Sequence, residues 1–490
     1  MLVRKGVAMT RLLKIMCILL LSAFLSCSKG VTLKEDVKTP PKRDYNILLV
    51  SFDAMRARNM SCYGYQKPTT PNLDKLAKQG ILFKQAISPA SWTLPATMAV
   101  FTGLYPSRHQ VLNKYTIVGA SSFEPTVLSK DIKTLPEILK EHGYMLVGFT
   151  GDAGVSGKFG YSRGFETYLD DKRFAGMDYS IPPDIEWLRK NKDRKFFMFL
   201  HGYDSHGQYD PPDNYTRIFD KDYNGALKGG KDEQGKFRED GLEHIVKGEP
   251  PPHINMTGRD AQFYTALYDE KIRDADERFA GFMKEFEKMG LREKTIIVLF
   301  ADHGEEFFEH GYLDHGPTLY EEQLHVPMIV LLPWEKSGKV IEDQVRTLDI
   351  MPTVMDLLGI PIKHRVDGVS LAPLIKGDKM QPIVAYSETD YRLVTYKRSI
   401  RIPLEIKGPF TALDGVDRSY LAGYKLIYTL ESDKKELYDL KTDPMEKVNL
   451  ADKEKRIAYE LEQFLFQWIK STGSDYRQYK GRNIGIIKEY

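Results

Sequence analysis

The sequence predicts an α/β fold in which a large, mainly parallel sheet lies between helices, followed by a small C-terminal antiparallel sheet plus helix. Three observations carry that expectation. Apolar runs without alternation recur along the chain, helical stretches separate them, and the texture changes after about residue 375. Strands covered on both faces read as continuous apolar runs, and their alternation with helices argues for a parallel sheet.

The elements follow in order. Ile47-Leu48-Leu49-Val50-Ser51-Phe52 is a buried-strand run. So are Phe196 to Leu200, Thr295 to Phe300 and Met328 to Leu332. Thr70-Pro71 opens a helix that Gly80 ends, and Leu73, Leu76 and Ala77 give it an apolar face. A second helix runs from about Asp260 to Met289, with Gly290 as its stop. The polar, Gly-rich stretch 221–256 reads as a loop. In the C-terminal part, 424–428 and 436–440 are expected as short antiparallel strands, and about 453–469 as a closing amphipathic helix.

Composition bounds the function. The chain has 490 residues, 42% hydrophobic and 28% charged, the balance of an ordinary globular protein. Its 70 basic and 68 acidic side chains leave a formal charge of +2, which gives no electrostatic case for nucleic acid as a partner. Arg4, Lys5, Arg11 and Lys14 precede an apolar run from Ile15 to Ser26, too short to span a bilayer and suited to a secretory signal. The ending Phe24-Leu25-Ser26-Cys27 resembles a bacterial lipoprotein signal, with Cys27 as the lipidation site. The expected organisation is a signal over 1–26, a tether over 27–44, a main domain over 45–375, a small subdomain over 376–470 and a tail over 471–490. The protein is then exported to the cell envelope, periplasm or outer membrane, attached to the membrane through Cys27. Of the three cysteines only Cys62 is left in the folded body, so no internal disulfide forms there.

In open α/β sheets ligands bind beyond the carboxyl ends of the strands. Three strand runs end in ligand-type residues: Asp53 follows the first, His201 the second, and Asp302-His303 the third. Two adjacent residues offering a hard oxygen and an imidazole nitrogen suit a divalent metal. In Ser91-Trp92-Thr93-Leu94-Pro95, Pro95 fits the first turn of a helix that Gly103 ends. Thr93 then lies just before a helix N-terminus, where N–H groups and the dipole favour an anionic phosphate or sulfate. Thr is also a good N-cap, so the hydroxyl alone decides nothing.

Several segments taken together resemble the sulfatase family. They are Leu49-Val50-Ser51-Phe52-Asp53, Thr70-Pro71-Asn72-Leu73-Asp74, Thr102-Gly103-Leu104-Tyr105-Pro106, Ala301-Asp302-His303-Gly304-Glu305, Asp349-Ile350-Met351-Pro352-Thr353 and Glu436-Leu437-Tyr438-Asp439-Leu440. They occur in family order over nearly the whole mature chain. The resemblance implies an alkaline-phosphatase-like sandwich and a metal-dependent hydrolase of ester bonds. It also exposes a departure. Sulfatases carry a Cys or Ser that is oxidised to formylglycine, followed by x-Pro/Ala-x-Arg, whereas this chain has Thr93-Leu94-Pro95-Ala96-Thr97. Thr cannot become that aldehyde by the same route. Ala54 after Asp53 likewise breaks the family's tandem aspartates.

The expected site therefore has Asp53, Thr93, Asp302 and His303 on a divalent metal, Zn or Mn favoured and Ca or Mg possible, with Thr93 as nucleophile. Asp204-Ser205-His206 resembles the family's Asp-Pro-His motif, which makes His206 a candidate for leaving-group protonation and Asp204 a substrate contact. His315 falls where many sulfatases place a substrate-contacting Lys. It is expected to bind ester oxygens or, with Asp204 and His206, a second metal. His201 and His310 are further substrate-binding candidates. The substrate class is a small-molecule, lipid or glycan ester, phosphoesters favoured because a Thr nucleophile looks like the phosphatase, phosphodiesterase and phosphoethanolamine-transferase branches. The alternatives are a sulfuric-ester hydrolase using Thr93 directly, a phosphoethanolamine-type transferase, and a surface lipoprotein that binds without catalysis.

Overall fold

The computed structural model describes residues 44–118, 122–250, 253, 256–336, 338–408, 410–411, 416–474 and 476–481. The signal over 1–26, Cys27 and all of the tether but Asp44 lie outside the described residues. Among the described residues no helix is long and apolar enough to cross a membrane.

An eight-stranded sheet forms the centre. In chain order its strands are β1 (Asn46–Phe52), β2 (Ile81–Ile87), β3 (Met145–Phe149), β4 (Thr167–Leu169), β5 (Phe196–Gly202), β6 (Thr295–Phe300), β7 (His325–Leu331) and β8 (Lys339–Arg346). Their order across the sheet is β8-β2-β7-β6-β1-β5-β3-β4. β1 runs parallel to both β5 and β6, whereas β7 is antiparallel to both of its neighbours. Every residue of β1, β5 and β6 is buried, which is why these runs carry no polar alternation. The sheet is mixed and mostly parallel, as the sequence predicts.

Helices α1 (Pro71–Gln79), α2 (Thr93–Thr102), α3 (Met177–Asn191) and α4 (Lys231–Lys247) precede the long α5 (Gly258–Lys288). α5 turns Phe263, Ile272, Phe279 and Phe282 into the main core at helical spacing. One expectation is corrected here. The stretch 221–256 is not all loop, because α4 fills half of it. Only Gln234, Gly241 and Leu242 of α4 are buried, so its apolar stripe is too thin to read. Its ends explain it instead: Asp232 and Glu233 sit in the first turn and Gly248 closes it in the left-handed conformation.

The C-terminal part is an antiparallel meander of β9 (Ala385–Thr389), β10 (Lys397–Arg401), β11 (Tyr424–Thr429) and β12 (Lys434–Asp439), followed by α6 (Lys455–Ser471). Leu461, Leu465 and Ile469 of α6 pack against Ile400, Leu426 and Leu437 in a core of their own.

Candidate active site

Register builds the site. Ser51 on β1 lies opposite His201 on β5 and Phe300 on β6. Asp53 and Asp302 each follow two residues later on adjacent parallel strands, so their carboxylates emerge side by side, with His201 one step behind. Asp53, His201 and Asp302 bring ligand-type atoms within 4.8 Å of one another, all buried. His201 Nε2 is 3.4 Å from Asp53 Oδ2. His303 closes the group, its Nε2 3.8 Å from Asp53 Oδ1 and 3.7 Å from Asp302 Oδ2.

Thr93 faces this group as the first residue of α2, inside the helix rather than just before it. Its hydroxyl is 3.1 Å from Asp53 Oδ2 and 3.2 Å from His303 Nε2. The His303 Nδ1–H donates to the Gly304 carbonyl at 2.8 Å, which leaves Nε2 as an acceptor. One hydroxyl proton cannot serve both a carboxylate and an imidazole lone pair. Asp53 Oδ1 and both nitrogens of His201 are buried without any hydrogen-bond partner. Burial, and then Asp302, push the Asp53 carboxyl well above the usual carboxylate range. Burial holds His201 down to about 4, hence neutral. Two carboxylates, two lone-pair imidazoles and orphaned atoms aimed at one point fit a divalent cation.

The departures from the family pattern have structural partners. Thr97, one turn along α2, reaches Asp302 Oδ2 at 3.4 Å. Ala54 has φ of 56°, and its N–H meets Asp302 Oδ1 at 3.3 Å while its carbonyl accepts from Tyr268. Gly154 packs directly against Thr93, since a Cβ there would stand 2.6 Å from that of Thr93.

Above Thr93 opens a cavity of about 490 Å³ that His206 and His315 also line. The His315 ring lies 4.2 Å from that of His303 and 4.9 Å from that of His206. Its Nδ1 faces two carboxylates, Glu305 and Asp314, at 2.8 Å each. Burial alone would lower His315, but these two outweigh it and hold the ring well above its ordinary value, as an imidazolium. His206 is pushed well below, by burial and then by the charge of His315.

Two expected substrate contacts are held elsewhere. Asp204 is half-buried and does not line the cavity, and its carboxylate accepts from the N–H of Met177 at the start of α3 at 2.8 Å. It therefore does not join His206 and His315 as a metal group among the described residues. His310 gives Nδ1 to Glu322 at 2.6 Å and Nε2 to the Glu446 carbonyl at 3.0 Å, stacked on Tyr320. Sequence reasoning missed Glu305, Asp314 and Arg238. The signal for the first is its place in the segment Ala301-Asp302-His303-Gly304-Glu305, two residues after His303.

The family model described as Sulfatase matches residues 45–360, most of the chain. The chain belongs to the sulfatase family. A second model, described as the C-terminal part of N-sulphoglucosamine sulphohydrolase, matches 308–471. Among curated sulfatases the chain is 25% identical over 467 residues to Delta 4,5-hexuronate-2-O-sulfatase of Bacteroides thetaiotaomicron, covering 89% of this chain and 91% of that protein. It is 23% identical over 492 residues to Arylsulfatase K of Homo sapiens, covering 90% and 84%. Among solved structures, a 2-O GAG sulfatase superposes with a TM-score of 0.66 at 22% identity, covering 89% of this chain and 94% of that one. The phosphonate monoester hydrolase of Agrobacterium radiobacter also gives 0.66, at 19% identity and coverage of 88% and 96%. The fold is thus that of the sulfatase and alkaline-phosphatase-like neighbours, and the protein is an ester hydrolase of this family.

Proposed function

We propose that this sulfatase-family enzyme cleaves a phosphate or sulfate ester with the Thr93 hydroxyl as nucleophile, phosphoesters favoured. The observation that carries the reading is the Thr93 hydroxyl set between Asp53 and His303 at the floor of the cavity. Asp53, His201, Asp302 and His303 would hold the divalent cation, which supplies positive charge that lowers the hydroxyl pKa and neutralises the ester oxygens. Two imidazoles among the donors favour Zn or Mn over the Ca typical of the family.

The chain's own groups then act as follows. Thr93 Oγ attacks phosphorus in line, giving its proton to Asp53, whose Oδ2 lies 3.1 Å away. The bond to the leaving oxygen breaks, and that oxygen takes a proton from His315, which Glu305 and Asp314 keep charged. His206 borders the leaving group as a neutral ring. Water next attacks the covalent Thr ester, returning a proton to His315, and the departing Thr93 Oγ takes back the proton held by Asp53. A formylglycine hydrate can expel its ester by elimination, whereas a threonine ester needs this second displacement at phosphorus. That need is what favours phosphoryl transfer.

Hydrolysis of a sulfuric ester through Thr93 is the second reading, favoured by the curated relatives, which are named as sulfatases. A panel of aryl sulfate, aryl phosphate monoester and aryl phosphodiester on metal-loaded protein separates the two. Turnover of phosphoesters at least tenfold above the sulfate is expected, and a sulfate-only enzyme overturns the preference. Export and lipid attachment through Cys27 belong to the same proposal. Labelling with a radioactive fatty acid, lost in Cys27→Ser, is the expected outcome.

A further inference from the structure

Lys114 lines the cavity, and the chain that leaves it forms an antiparallel pair of short strands, Tyr115–Val118 with Ser122–Pro125. Tyr115 pairs with Pro125, and Ile117 with Phe123. Side chains alternate across a strand, so these four apolar positions share one face while Thr116 and Glu124 take the other. On the polar side the Thr116 and Thr126 hydroxyls meet at 2.8 Å. The Thr126 N–H donates to the Lys114 carbonyl at 3.0 Å, which roots the pair at the mouth of the cavity. The two strands belong to no larger sheet.

This mouth exposes large apolar side chains together. Tyr115, Phe123 and Val127 are 48%, 47% and 59% exposed, and Phe174, which lines the same cavity, is 46% exposed. Single exposed hydrophobes need no explanation, but a cluster of them marks a surface that binds something. Phe174 is presented at a cost, since its backbone is left-handed at φ of 55°, with Tyr203 and His206 behind its ring at 5.3 and 5.2 Å. Cations stand between these groups. The Arg173 guanidinium lies 5.0 Å from the centre of the Phe174 ring. The Leu128 N–H donates to the Phe159 carbonyl at 3.0 Å, which ties the stretch after Val127 to the one after Lys158. Lys130, Lys158 and Lys172 are exposed there, against Glu124, Asp131 and Asp171, and Asp171 already accepts from Tyr179.

Rings interleaved with basic side chains suit an anionic lipid surface. The rings enter the boundary between headgroups and acyl chains, and each Lys or Arg adds attraction to the headgroups. Apolar groups carried on a free pair of strands, and not lining a groove, suit a soft surface better than a rigid partner. The lipid attachment proposed for Cys27 is compatible. Asp44 enters at the far end of β1, a strand roughly 23 Å long, and residues 27–43 can extend to roughly 55 Å.

We propose that the mouth of the cavity docks on an anionic lipid surface through Tyr115, Phe123, Val127 and Phe174, with Lys130, Lys158 and Arg173 meeting the headgroups. The proposal deepens the functional reading and rests on the cavity being the active site, for the ester is then one displayed at a lipid surface.

The chain from residue 28 tests this, because it carries neither signal nor lipid and both main cores are built from residues beyond Asp44. It is expected to sediment with vesicles of phosphatidylcholine and phosphatidylglycerol in equal parts. Tyr115→Ser with Phe123→Ser should weaken that partitioning about tenfold or more. Lys130→Gln with Lys158→Gln should weaken it about tenfold on these vesicles and leave binding to phosphatidylcholine alone unchanged. Trp334→Ser, altered beside Tyr45 at the opposite end of the sheet, should change nothing. Absence of wild-type binding overturns the proposal and leaves the face to a protein partner. Wild-type binding in the Tyr115 and Phe123 variant, or its loss in Trp334→Ser instead, overturns it as well. Circular dichroism checks that each variant is folded. Sedimentation reads no turnover, so a failure of the Thr93 chemistry would leave this result standing.

Discussion

Of the three groups of one histidine and two carboxylates among the described residues, two repay comparison, and they differ in how their polar atoms are satisfied. Asp53, His201 and Asp302 gather at the strand ends, and Glu306, His310 and Glu322 gather a few residues on, each with ligand-type atoms within 4.8 Å. Both nitrogens of His310 have hydrogen-bond partners, whereas neither nitrogen of His201 has one. Arg56 beside the second group pairs with Glu309 at 2.5 Å, and Arg58 lies 4.0 Å from Glu322. The second group is neutralised by the chain itself. The first is left with an unpartnered Asp53 oxygen and an unpartnered His201 ring. Each group offers one imidazole and two carboxylates at close quarters, so the state of the hydrogen bonds distinguishes a ligand site from a structural ion-pair network.

The largest effect that sharpens this contrast is on Thr93. Thr93→Ala should lower kcat on the order of 10³-fold or more and abolish any trapped covalent ester. Undiminished turnover would move the nucleophile elsewhere. His201→Ala comes next. It should cut metal affinity at least about tenfold, measured as metal content after dialysis, whereas His310→Gln should leave that content unchanged. Equal metal loss in the two variants erases the distinction drawn here. His310→Gln should instead cost stability, about 2 kcal/mol in urea unfolding, because it leaves the buried Glu322 without its partner. The smallest effect is in pH. Burial would lower His310, but Glu322, then Glu306 and Glu446, outweigh it and hold it at about 9. A histidine raised on folding stabilises in full below its ordinary value near 6.5 and loses that contribution as pH rises through about 9. The Tm should therefore fall between those limits in wild type and fall less in His310→Gln. An unchanged profile in the variant would assign the slope to other groups.

The sheet was legible because its strands are buried on both faces, and so were Asp53, Asp302 and His303, because they end such strands. α4 was not, since caps and not an apolar stripe define it. His201 ends a buried strand run and His310 does not, yet both read in sequence as substrate-binding candidates. Only the structure separates them, because partners such as Glu446 and Tyr320 come from elsewhere in the chain. Asp204 likewise reads as a ligand in sequence, yet a helix N-terminus takes its carboxylate. Arg173 and Arg238 carry no motif, since tertiary structure alone brings them to the cavity.

The register of β1 between β5 and β6 has a consequence for folding. Asp53, His201 and Asp302 are far apart along the chain and meet only when three adjacent strands are aligned. Such non-local contacts form late, after loop closure has been overcome. A cation drawn to this group cannot seed the fold. It binds a sheet already assembled and acts on the reverse process, slowing unfolding more than it speeds folding.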